Sequence, residues 1–430
     1  MISVLIILTT FGFIIIKPKI IPYLAITYVF ITGLAPRSFI KDFKLALGTT
    51  NIWPLDFLYV GAVIFSIFFF LKKITRNNNK FTSSTNITIY IVFILALFFT
   101  GKAINGFLDN LPIETIVRLY ARDTQLFYFF LPLVTFNKTE DFNKLLIYTV
   151  FLCMIFPLFQ PLLINSEETK LIMKYQGTFR LGFGDANILL ALGTIALFCW
   201  EKKLYLAFIP LSGIFMLAHR SAFIGIAASL IAQGLLRGKK TKTLLIFGIT
   251  GCLVIIMLLA LNTLTKVNIL DKTIDRAGET FQATKTTVGR FGVIYIALEE
   301  LEKRPLTGLS YKDTYSLQKN SNVEGIEGGF NRAFSILHPH NFVLAAIMET
   351  GILGTSLLFI IILRSLLWSY KLSTSKINNQ IGSYLFSSIL FFVIFSIMNT
   401  TMQTVGYVFW FLVGSTFWFV NNFKLTERKI

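Results

Sequence analysis

Charge is what this chain has least of. Asp, Glu, Lys and Arg together make up 14% of its 430 residues, against roughly 25% in soluble globular proteins. So few charges cannot cover a water-facing surface, which excludes an ordinary soluble enzyme. Cysteine is nearly absent: Cys153, Cys199 and Cys252 are the only three. Each lies inside an apolar run without metal-ligand or disulfide spacing, so they read as small apolar packing residues. Histidine is as scarce, with three in the whole chain. Acidic residues number 22 against 40 basic ones, a net charge of +18. In a soluble protein that excess would suggest nucleic acid. Here the basic residues gather in short loops between apolar runs, as in the cytoplasmic loops of membrane proteins, and no nucleic-acid partner is implied. The N-terminus lacks the basic start and small-residue cleavage site of a secretory signal, so residues 2–16 read as a retained span. No internal repeat is visible, which argues against a transporter built from two related halves.

What the chain does have is apolar sequence: 54% of residues, with a mean hydropathy of +0.69. Runs of about 15–25 apolar residues bounded by charges recur along nearly its whole length. The expected fold is all-α, a polytopic transmembrane helical bundle of about 12–13 spans. The spans fall near 2–16, 20–35, 53–71, 87–101, 119–136, 145–164, 187–200, 204–218, 221–236, 244–264, 340–367, 381–398 and 404–421. One large polar loop separates the tenth and eleventh runs. Three regions follow: transmembrane helices over 1–264, the loop over 265–339, and C-terminal helices with a basic tail over 340–430. If the basic stretch 72–80 is cytoplasmic, alternation puts about 20 Lys and Arg in short loops on that side and about 10 on the other. The large loop is then extracytoplasmic.

On that outer face the chemistry-bearing residues are arginines and histidines. Arg180 sits among three glycines in Gly177-Thr178-Phe179-Arg180-Leu181-Gly182-Phe183-Gly184, where the backbone allows close approach to a bound group. Arg220 stands between two apolar runs with only His219 beside it, a costly place for a charge without a partner. Arg290 follows Gly289 and opens a stretch to Lys303 on which Phe291, Ile294, Ala297, Leu298 and Leu301 share a helical face. Arg332 precedes His338-Pro339-His340-Asn341, where the loop meets the apolar run. The proline suits the first turn of that helix. Forked, permanently charged guanidinium groups match phosphate oxygens, and an imidazole titrates near neutral pH. Converging on one face, they favour an anionic lipid headgroup as ligand. Glu349, inside the apolar run, reads as a structural partner for a buried arginine.

The combination Ala218-His219-Arg220-Ser221, Gly289-Arg290, and His340-Asn341-Phe342-Val343-Leu344 followed by Glu349-Thr350-Gly351-Ile352-Leu353-Gly354 resembles the O-antigen ligase and O-antigen polymerase superfamily of bacterial membrane glycosyltransferases. The stretch from Arg180 to Asn187 is similar to that family's earlier loop motif, so the resemblance runs from about 175 to 365. It implies a C-type glycosyltransferase fold in the bacterial inner membrane, with the active site on the periplasmic face. It implies an undecaprenyl-diphosphate-linked glycan as donor and a glycan or lipid A-core as acceptor. No cofactor or metal is implied, and a chain-length regulator protein fits as a partner. By the same resemblance Arg220 and Arg290 bind the diphosphate, with Arg180 and Arg332 as further substrate-binding candidates. His340 activates the acceptor hydroxyl, with His338 as the alternative. A transporter or flippase of lipid-linked oligosaccharide is the competing reading. It too needs arginines near a headgroup, but has no need of a base.

Overall fold

The computed structural model describes residues 17–34, 45–47, 50–52, 81–163, 186–200, 205–217, 220–236, 301–320, 341–375, 379–397 and 406–423, with parts of 61–72 and residue 298. In chain order these form α1 (Ile21–Leu34), a ribbon of β1 (Leu45–Leu47) and β2 (Thr50–Ile52), α2 (Ser83–Leu108), α3 (Ile113–Asp123), a 3-10 run Thr124–Phe129 and α4 (Phe130–Thr135). Then come α5 (Thr139–Phe159), α6 (Ala186–Cys199), α7 (Phe208–Met216), α8 (Arg220–Leu236), α9 (Tyr311–Asn320), α10 (Phe342–Thr374), α11 (Asn379–Ile397) and α12 (Gly406–Asn422). The fold is helical as expected, apart from the ribbon, whose strands pair antiparallel with Leu45 opposite Ile52. Among the described residues four helices are long and apolar enough to cross a membrane: Ser83–Leu108, Thr139–Leu163, Phe342–Thr374 and Asn379–Ile397. Shorter apolar helices occupy several of the other expected spans. The expected span at 244–264 lies outside the described residues.

The chain divides into two units. One comprises Met1–Ala62, Thr135–Gln282 and Ser369–Phe391. Its centre is α6, buried on almost every side, as a helix that is apolar all round must be. Small residues let the neighbours close in. Gly193 faces Cys153, whose thiol donates to the Leu189 carbonyl at 2.9 Å. Gly33 of α1 leaves only 2.6 Å between a notional Cβ and that of Ala186. Thr27 of α1 and the Tyr148 hydroxyl of α5 share a hydrogen bond of 2.6 Å. Gln233 accepts from Ser387 at 3.1 Å and donates to the Cys199 sulfur at 3.5 Å. Cys153 and Cys199 are therefore buried free thiols, in keeping with a packing role. Cys252 lies outside the described residues.

The other unit comprises Val63–Val134, Ala283–Trp368 and Phe392–Ile430. It is built around α12, whose Gly414 lies directly on the backbone of Phe129. Thr82 caps α2, its hydroxyl accepting from Thr85 N at 3.3 Å, while Thr82 N donates to Asn421 Oδ1 at 3.0 Å. Arg364, deep in α10, is satisfied by α2: Nη2 donates to the Ser84 carbonyl and hydroxyl, both at 2.9 Å. One expectation fails here. Residues 119–136 are not a single α-helix but the end of the amphipathic α3, a buried 3-10 run and the short α4. Arg122 and Asp123 interrupt the apolar run, and both find partners elsewhere in this unit.

Candidate functional site

Membrane helix α10 is broken near its start. Gly351 takes φ 63° and ψ −170°, so the residues from Phe342 to Thr350 form a separate first segment. Asn341 caps that segment, its Oδ1 accepting from Leu344 N at 3.1 Å. The helix thus begins at Phe342, two residues later than the expected 340. A break frees backbone groups that lipid cannot satisfy, and one piece of chain takes them up. Ile352 N donates to the Pro305 carbonyl at 2.9 Å, Leu353 N to that of Leu306 at 3.3 Å, and Leu309 N to that of Met348 at 2.7 Å. The ammonium of Lys102, from the far end of α2, donates to the Glu349 carbonyl and to that of Leu309, the latter at 2.6 Å. Glycine is required on both sides of this junction. A Cβ on Gly351 would run into the Leu306 carbonyl, and one on Gly308 (φ 68°) would lie 2.6 Å from Gly351 N and Met348 O.

The piece of chain that docks at the break belongs to the large polar loop and is itself well anchored. Ser310 starts α9 with a capping box: its N and Oγ donate to Asp313 at 2.8 and 2.7 Å, and Asp313 N donates back to Ser310 Oγ at 3.2 Å. Arg304 pairs with Asp313 at 3.3 Å, and Lys312 with Asp109 at 3.3 Å. Tyr311 is buried against Ala103, Leu111, Ile116 and Leu119. Its hydroxyl donates to Asp123 at 2.7 Å. Burial, and then the neighbouring Asp123 carboxylate, push the phenol pKa up, so Tyr311 remains a donor. Leu309 packs with Leu344 and Met348 of the first segment of α10, and Leu301 packs against the same cluster. Leu298, expected on the same helical face as Leu301, is instead 49% exposed. The rest of the expected helix from Arg290 lies outside the described residues, apart from Leu301 to Lys303.

These contacts gather charge around one point. Arg122 Nη2 lies 2.8 Å from Glu349 Oε1, and its Nε 3.6 Å from Asp123 Oδ1. Together with Lys102 the group holds two cations and two carboxylates. The reading of Glu349 as partner to a buried arginine holds, and the arginine is Arg122. Arg122 and Glu349 also line a cavity of about 90 Å³. One face of α10 forms its wall, from Phe342 through Ala345, Ala346 and Thr350 to Gly354 and Leu358. Leu95 and Phe99 of α2 also line it, as do Phe409 and Trp410 of α12. Among the described residues no group of three His, Cys, Asp or Glu side chains is gathered closely enough to hold a metal ion.

The family described as O-antigen ligase matches residues 205–360. That stretch, a little over a third of the chain, is similar to the O-antigen ligase family. No curated protein matches the chain. The O-antigen ligase match is narrower than the expected 175–365 and leaves out Arg180 and its glycine-rich loop. It takes in Arg220, Arg290, Arg332, His338 and His340, and the whole motif from Glu349 to Gly354. The likeness points to a role in glycan transfer at a membrane. Arg180, Arg290, Arg332, His338 and His340 lie outside the described residues, and Arg220 is described only as the first residue of α8. The structure thus brings together a different set, namely Lys102, Arg122, Asp123, Tyr311 and Glu349. Of these, the sequence singles out only Glu349, and as a structural partner for an arginine rather than as a site residue. The signal for the others was a charged pair within an expected span, whose partners lie 188 and 227 positions onward.

Proposed function

We propose that the protein transfers a glycan from undecaprenyl diphosphate to an acceptor sugar on the outer face of the bacterial inner membrane, as a polymerase or ligase of O-antigen or another surface polysaccharide. The observation that carries this reading is the O-antigen ligase match over residues 205–360, which contains Arg220, Arg290, Arg332, His338 and His340 of the expected site. In the proposed reaction an acceptor hydroxyl attacks the anomeric carbon, the glycosyl–diphosphate bond breaks, and the hydroxyl proton passes to an imidazole. His340 is the assigned base, with His338 as the alternative. Arg220 and Arg290 neutralise the departing diphosphate, a task forked guanidinium groups perform without a metal. Arg180 and Arg332 are assigned to the same ligand.

Purified protein in detergent, given lipid-linked repeat units and an acceptor, tests this directly. Glycan lengthened or transferred in the absence of a sealed membrane supports the enzyme, whereas transport in vesicles without any such product would replace it with a flippase. In a deletion strain, loss of long chains with one unit still attached identifies a polymerase, and loss of all attached glycan a ligase.

A further inference from the structure

The cavity beside the broken helix has a chemistry that does not match a diphosphate. Its ionic lining groups are one cation, Arg122, and two carboxylates, Asp123 and Glu349; with Lys102 beside them the charges balance, so the site offers a multiply charged anion no excess of positive charge. Yet the lining is not apolar throughout. The Arg122 and Glu349 side chains remain 21% and 25% exposed, and set a guanidinium and a carboxylate side by side. Around them stand the partly exposed rings of Phe99 and Trp410. A pyranose has this same division: vicinal hydroxyls on its edge, able to donate to a carboxylate and accept from a guanidinium together, and C–H bonds on a face that an aromatic ring can cover. At roughly 10–15 Å³ per water site, about 90 Å³ accommodates several waters, the scale of one sugar ring rather than a chain.

We propose that this cavity binds one neutral sugar residue of the glycan, with Arg122 and Glu349 as its hydrogen-bonding edge and Trp410 and Phe99 as its apolar wall. The proposal rests on the glycan-transfer reading and deepens it, separating a sugar subsite from the diphosphate site assigned to Arg220 and Arg290. The sugar can come from the acceptor or from the donor, and both present the same chemistry.

The test uses full-length protein in detergent and two probes: the repeat-unit oligosaccharide cut from the source strain's surface glycan, and undecaprenyl diphosphate without sugar. Saturation-transfer NMR should show contact with the pyranose C–H protons. Glu349→Gln should weaken oligosaccharide binding about 10-fold or more. Trp410→Leu and Phe99→Leu keep an apolar wall but lose the ring face, and should each weaken it about 2- to 10-fold. Binding of undecaprenyl diphosphate should stay unchanged. Wild-type protein that takes undecaprenyl diphosphate but no oligosaccharide overturns the proposal. So does unaltered oligosaccharide affinity in the two ring variants, which test the wall even if Glu349→Gln fails to fold. In transfer assays, a raised KM for acceptor in Trp410→Leu places the acceptor's sugar in the cavity, and a raised KM for donor places the donor's there. Oligosaccharide binding that depends on Trp410 without any transfer would defeat the enzyme reading alone. Normal transfer constants in Trp410→Leu and Glu349→Gln would defeat the sugar subsite alone.

Discussion

Replacing Gly351 with alanine should be strongly destabilising. At φ 63° and ψ −170° the residue occupies a region open almost only to glycine, and an L side chain there costs about 1–3 kcal/mol. The added Cβ would also strike the Leu306 carbonyl carbon and oxygen, which are backbone atoms and cannot rotate away. The 305–309 segment must then withdraw, and three hydrogen bonds depend on its position: Ile352 N to Pro305 O, Leu353 N to Leu306 O, and Leu309 N to Met348 O. At about 0.5–1.5 kcal/mol each, their loss brings the total to about 2.5–7.5 kcal/mol. A domain of about 200 residues loses roughly 2–4 °C in Tm per kcal/mol, so Gly351→Ala should melt at least about 5 °C below wild type in detergent. Gly101→Ala is the control. It lies in α2 with nothing within 4 Å of its notional Cβ, and helix propensity makes that change neutral or stabilising by about 0.5–1 kcal/mol. Equal melting of the two variants would refute the account of the broken helix.

Three further outcomes follow from the proposed reaction. Arg220→Ala and Arg290→Ala should each lower transfer about 10- to 150-fold at normal expression, from roughly 1.5–3 kcal/mol per charged hydrogen bond, and Lys should rescue poorly for want of a fork. Full activity in both Arg→Lys variants would leave the diphosphate clamp without support. His340→Ala should lose about 10²- to 10⁴-fold while still binding donor, and His338→Ala should keep most activity. A base must be deprotonated, so the wild-type rate should fall as the pH is lowered and the imidazole takes up a proton, and the His340 variant should lose that dependence. An inactive His338 variant beside an active His340 variant would reverse the assignment. Ser321→Cys should react with an impermeant maleimide in cells with only the outer membrane opened; labelling confined to lysed cells would turn the topology over.

The apolar runs by themselves determined the class and most helix positions. The helices 83–108, 139–159, 186–199, 220–236, 379–397 and 406–422 fall where runs of lipid-compatible residues fall, because a membrane leaves a backbone no other way to satisfy its own hydrogen bonds. The motif from Glu349 to Gly354 and its family were equally visible, since they are matters of residue identity. Two things were not. Residues 119–136 read as one apolar helix because hydropathy averages over Arg122 and Asp123, whereas α3 gives way there to a 3-10 run and the pair meets Glu349 and Tyr311. Gly351 reads as a small residue in a helix, whereas it is the point at which the helix breaks. Local sequence cannot announce that break, because its peptide groups are satisfied by Pro305, Leu306 and Leu309 and by the ammonium of Lys102 nearly 250 positions away. An opened helix is stable in a membrane only where tertiary structure supplies those partners.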